Sequence, residues 1–85
     1  MDDKRVKELI KELEERMEAL TIAVPKEEAA YHFYLDLAHT TKHDGTRKMF
    51  LKLADQELDH KHSLENTLQE IQKELTKLKA SQKKV

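Results

Sequence analysis

Cysteine is absent from the 85 residues, and glycine and proline occur once each. Without thiols the chain can form no disulfide, no thiolate zinc site and no cysteine-ligated iron centre, an absence that accords with a reducing compartment. The scarcity of glycine and proline removes the residues on which tight turns depend, so a sheet protein with many short connections is excluded. Neither sign of charge dominates: 16 Lys and Arg stand against 17 Asp and Glu, a formal net charge of −1, with both signs interspersed. That leaves no basic footprint for nucleic acid and none for an anionic membrane. No apolar run approaches transmembrane length, and Met1-Asp2-Asp3-Lys4-Arg5 lacks the apolar stretch of a signal peptide. The expectation is a cytoplasmic protein that binds neither nucleic acid nor membrane.

What is present is a mixture of helix-forming residues, 38% apolar and 39% charged. A length of 85 residues allows one small domain. From Val6 an apolar stripe runs through Ile10, Leu13, Met17, Leu20 and Val24, then meets Glu27 before Tyr31, Tyr34 and Ala38. Its steps alternate four and three, the heptad seam of a helix packed against others. From Ala30 the apolar face widens to include Phe33 and Leu37, as a helix with more than one neighbour requires. Pro25 either bends one long helix or starts a second, with Thr21 available as a cap; the unbroken register favours a single helix over about 3–42.

The one strong turn signal is Thr41-Lys42-His43-Asp44-Gly45-Thr46, which predicts a turn at 43–46 with Thr46 as N-cap. A second stripe follows through Met49, Phe50, Leu53, Ala54, Glu57, His60, Leu64, Leu68, Ile71, Leu75 and Leu78, with one four-four step near Leu64. It predicts a helix over about 47–81, with the tail from Ser81 fraying. The fold class expected is all-α: a long antiparallel two-helix hairpin. So small a hairpin cannot bury its stripe and its widened face alone, and a two-fold homodimer forming a four-helix bundle closes it most simply.

Three polar residues interrupt the two stripes: Glu27 in the first, Glu57 and His60 in the second. A lone Glu-x-x-His arises by chance in a chain this rich in Glu. Its position on an apolar stripe is what matters, because a Glu aimed into a core must be neutralised, paired or metal-bound. Glu57 and His60 lie one helical turn apart and can reach one ion. Two hairpins would together bring four Glu and two His, the set used by di-iron carboxylate bundles. Tyr31 and Tyr34 fit core packing, while His32, His39 and His62 lie off the seam or at its margin, His43 falls in the turn, and all four read as solvated. Glu28 points about 100° away from Glu27 and reads as exposed, at most an outer guide for incoming cations.

The run Glu27-Glu28-Ala29-Ala30-Tyr31-His32-Phe33-Tyr34-Leu35-Asp36-Leu37-Ala38, followed by Phe50-Leu51-Lys52-Leu53-Ala54-Asp55-Gln56-Glu57-Leu58-Asp59-His60, resembles the first helix pair of rubrerythrin and related ferritin-like proteins. The resemblance implies a di-iron site in which Glu27 is a terminal ligand, Glu57 a bridging ligand, His60 the nitrogen ligand and Tyr34 a hydrogen-bond partner that holds a ligand carboxylate. Rubrerythrin takes its second set of ligands from another helix pair of the same chain, which these residues lack. In that respect the chain is similar to the encapsulated ferritins, whose single hairpins build the iron site between two subunits. The rubredoxin-type centre of rubrerythrin is missing as well. The activity implied is a ferroxidase or peroxidase-like oxidation of Fe(II) by dioxygen or peroxide, with Mn or Zn as possible substitutes for Fe. A storage role would need an enclosing shell, and redox cycling an external electron donor. The competing expectation is a non-catalytic helical assembly module holding a structural metal or none.

Overall fold

A computed structural model describes residues 3–82, which form two α-helices: α1, Asp3–Thr40, and α2, Asp44–Gln82. They pack antiparallel into a rod of 65 × 14 × 14 Å. The all-α hairpin expected from the sequence is therefore what forms. Residues 1–2 and 83–85, which include part of the tail expected to fray, lie outside the described residues; Ser81 and Gln82 are helical.

α1 is a single helix through Pro25, so the alternative of two helices does not hold. Proline lacks the N–H that the Thr21 carbonyl would otherwise accept. Both residues are exposed, and water can take the place of that donor. The Thr21 hydroxyl, which the sequence offered as a cap, instead donates back to the Met17 carbonyl at 2.8 Å, a bond made within a continuing helix.

The connection is tighter than the turn expected at 43–46. Only residues 41–43 are non-helical, and α2 begins at Asp44, so Thr46 lies inside the first turn and is not its cap. Helical hydrogen bonding starts with the Arg47 N–H donating to the His43 carbonyl at 2.9 Å. Arg47 joins the start of α2 to the end of α1. Its guanidinium donates to Asp44 Oδ1 at 2.9 Å and to the Thr41 carbonyl at 3.1 Å, tying the first turn of α2 to the end of α1. Asp44 also places a negative charge at the positive end of the helix dipole.

Burial divides the rod along its length. The large buried side chains, Val6, Ile10, Leu13, Ile71 and Leu75, cluster at the end away from the connection, with Met17, Leu20 and Leu78 against them. Toward the connection the buried seam residues are small, Ala38 and Ala54. The large apolar side chains exposed among the described residues, Ile22, Phe33, Met49 and Leu51, belong to this second half. The far half thus holds the large buried residues, and the near half carries apolar surface it does not bury.

Two stability measurements follow. Truncating Leu13 to Ala is expected to cost about 2–5 kcal/mol, whereas Gly45→Ala is expected to add about 0.4–1 kcal/mol. Gly45 has a helical backbone without positive φ and nothing within 4 Å of an added Cβ, so Ala restricts only the unfolded chain. Urea unfolding followed by circular dichroism checks both.

Candidate metal centre

Register decides which polar residues meet. Across α1 the steps of four and three deliver Glu27 to the inward face between Val24 and Tyr31, and all three are partly buried. Across α2 one line of buried and partly buried residues, Phe50, Ala54, Glu57, Lys61, Leu64, Leu68, Ile71, Leu75 and Leu78, also alternates four and three. The four-four step expected near Leu64 therefore does not exist. It came from placing His60 on the seam, where the structure places Lys61. Strict heptad spacing carried past Glu57 would have found Lys61 from the sequence.

His60 accordingly stands at the flank of the hairpin, its side chain 65% exposed, while those of Glu27 and Glu57 are 27% and 23% exposed. Even so, it faces both carboxylates. His60 Nδ1 lies 3.7 Å from Glu27 Oε2 and 3.8 Å from Glu57 Oε2. One donor atom from each of the three residues falls within 4.8 Å of the others. The two measured separations are too long for hydrogen bonds. They are also shorter than about 4.2 Å, the widest spacing open to two donors each bound about 2.1 Å from one ion. Glu27 Oε2 is buried and, among the described residues, is the one such side-chain oxygen or nitrogen without a hydrogen-bond partner. A buried carboxylate oxygen left unpaired is costly, and a cation lying between the three donors would satisfy it. The donor set fits a divalent ion: two hard carboxylates and one imidazole suit iron, manganese or zinc.

The remaining candidates separate from this cluster. Tyr34 is partly buried on the seam with its ring edge-on to Phe33, centroids 5.5 Å apart, and no hydrogen bond of its hydroxyl is recorded among the described residues. Tyr31 meets His32 in the same manner at 5.3 Å. His32, His39, His43 and His62 are exposed. Glu28 is exposed as expected, yet it pairs across the hairpin with Lys61 Nζ at 3.8 Å. Because Glu28 and Lys61 each follow a cluster residue by one position, about 100° of helix rotation puts their pair on the opposite flank from His60. One flank thus presents His60 and the other a salt bridge.

Electrostatics in the metal-free chain reflect the crowding of like charges. The Glu57 carboxyl is held above the ordinary carboxylate range, first because its protonated form can share a hydrogen with Glu27, then through desolvation and the negative charge of Glu27, with His60 opposing. A carboxyl whose pKa is raised on folding binds its proton more tightly in the folded chain than in the unfolded one. The folded state therefore loses stability as the pH rises from the ordinary carboxylate value through the raised one. In the presence of a chelator, Glu57→Gln is expected to remove that part of the slope and to raise the melting temperature at neutral pH; thermal melts between pH 4 and 8 measure it.

Comparison with known proteins adds a family to this geometry. The family model of rubrerythrin matches residues 18–85, a span that contains Glu27, Tyr34, Glu57 and His60 and leaves residues 1–17 outside. No curated protein and no solved structure gives a significant match. No helix among the described residues is long and apolar enough to cross a membrane. With the match covering most of the chain and a Glu, Glu, His cluster brought together across the two helices, the chain belongs to the rubrerythrin family.

Proposed function

We propose that two copies of this hairpin hold a pair of iron ions between them and oxidise Fe(II) with dioxygen or peroxide. The observation that carries the proposal is the convergence of Glu27, Glu57 and His60 around a buried, unpaired carboxylate oxygen, in a chain whose family is a di-iron one. One hairpin contributes three donor residues. A second, related by a two-fold axis, brings the total to the four carboxylates and two imidazoles of the ferritin-like di-iron arrangement.

Each residue has a definite task. Glu27 and Glu57, both shielded from water, supply the negative charge that draws Fe(II) in and that favours the ferric over the ferrous state. His60 supplies the nitrogen donor, with its Nδ1 already turned toward both carboxylates. Tyr34, two turns beyond Glu27 on the same seam, is proposed to hold a ligand carboxylate in orientation through its hydroxyl. Two Fe(II) give up one electron each. Those two electrons reduce one dioxygen, with two protons, to hydrogen peroxide, or one hydrogen peroxide to two hydroxide ions.

Aerobic addition of Fe(II) tests the proposal. A near-ultraviolet ferric band should grow rapidly, vanish in Glu57→Ala, and persist in Glu28→Ala, whose carboxylate faces the other flank. Tyr34→Phe should slow it by about 10- to 100-fold, the usual cost of losing an orienting hydrogen bond to a ligand. Tight binding of zinc with no oxygen uptake on adding Fe(II) would instead establish a structural metal site in an assembly module.

A further inference from the structure

Lys61 is the one basic residue on the inner line of α2, which otherwise carries Glu57 and apolar side chains. Its side chain is 22% exposed, as sheltered as the 23% of Glu57 and the 27% of Glu27. Lys61 follows Glu57 by four residues, and a Glu with a Lys four positions after it is the order in which a helix pairs the two best. The ammonium is nevertheless found across the hairpin, 3.8 Å from Glu28 Oε2. The cluster is left without it. Glu27 Oε2 has no hydrogen-bond partner, and the basic group in ion-pair range of Glu57 among the described residues is His60. A sheltered ammonium thus has two sets of carboxylates to choose from, and Glu28 takes it.

We infer that Lys61 is a tethered competitor for the cation site and that Glu28 is the positioning residue that holds it off. An ammonium swung from Glu28 to Glu57 neutralises a carboxylate that the metal needs, and an incoming ion then has to displace it. Lys61 carries its charge on a flexible four-carbon stem, so the exchange asks only for rotation of a side chain. Pairing with Glu28, whose side chain is 51% exposed, keeps the ammonium near water, whereas the cluster would strip more of its hydration. That difference favours Glu28 for as long as Glu28 is charged. Without the Glu28 charge, Glu57 becomes the preferred partner along α2, since Glu65, four residues after Lys61, stands in the weaker order. The pair thereby sets how readily the cluster accepts a cation. Loss of Glu28 touches none of the metal donors, so it weakens binding without abolishing it, and at saturating Fe(II) the ferric band persists.

The inference rests on the cluster binding metal, and calorimetric titration of the metal-free full chain with Zn(II), at one pH and one chain concentration, tests it without iron oxidation. The parent, Glu28→Gln, Lys61→Met and the two combined complete a double-mutant cycle. Glu28→Gln should lower zinc affinity by about tenfold, the lower end of the loss that follows removal of a group bordering a metal site. Lys61→Met should bind zinc at least as tightly as the parent, and adding it to Glu28→Gln should restore the affinity that the first change removed. Helicity by circular dichroism should match the parent throughout. A pair that merely braced the helices would instead weaken zinc binding from either side, with no restoration in the combined variant. Loss of affinity in Lys61→Met, unchanged affinity in Glu28→Gln, or a combined variant as weak as Glu28→Gln alone would each overturn the inference and leave the metal site standing. Failure of the parent chain to bind zinc would remove both.

Discussion

Two carboxylates held side by side on the inner face of a two-helix rod are the constraint to which the rest of this molecule answers. Glu27 and Glu57 occupy positions where the heptad calls for apolar residues, and their proximity raises the pKa of one of them. Such a pair of like charges opposes folding of the bare hairpin at neutral pH, and packing elsewhere must offset it. That packing is the zipper of Val6, Ile10, Leu13, Ile71 and Leu75 at the far end. Stability and chemistry are thus separated along the rod, with the unfavourable charges in the half that the zipper does not directly support.

The near half shows what the separation makes possible. Its buried seam residues, Ala38 and Ala54, are small, and its larger apolar side chains stay exposed. One flank carries His60 and the other the Glu28 to Lys61 pair. The two flanks differ in chemistry because each follows the seam by a different residue: the step from Glu57 to His60 turns one way and the step from Glu57 to Lys61 the other. A single-residue difference in register separates an imidazole facing two carboxylates from an ammonium paired with a third. Membership of the rubrerythrin family gives this geometry a chemical context, since di-iron chemistry needs an arrangement that is costly without its ions.

Much of this was legible in the chain. The stripe from Val6 to Ala38 is the inward face of α1, and the widened face that includes Phe33 does remain uncovered in a single hairpin. The local signals were less faithful. Asp44-Gly45 looks like the centre of a turn, but the dipeptide is helical, and Arg47 ties that first turn to the end of α1 by donating to Asp44 and to the Thr41 carbonyl. His60 looks like a seam residue because it completes a Glu-x-x-His spacing, whereas the packing period runs through Lys61. Motif and period pointed to adjacent residues, and burial followed the period.

By itself the sequence determined the helical hairpin and the inward position of Glu27 and Glu57, because heptad spacing is a local property that one chain reports directly, while the Glu-x-x-His spacing singled out His60. The tertiary structure decided the flank onto which the cluster opens, the exposure of His60, the pairing of Glu28 with Lys61 and the unpartnered oxygen of Glu27. These depend on the relative rotation and axial offset of two helices, and both are set by how the side chains of one pack into the gaps of the other. No stretch of either helix alone contains that information.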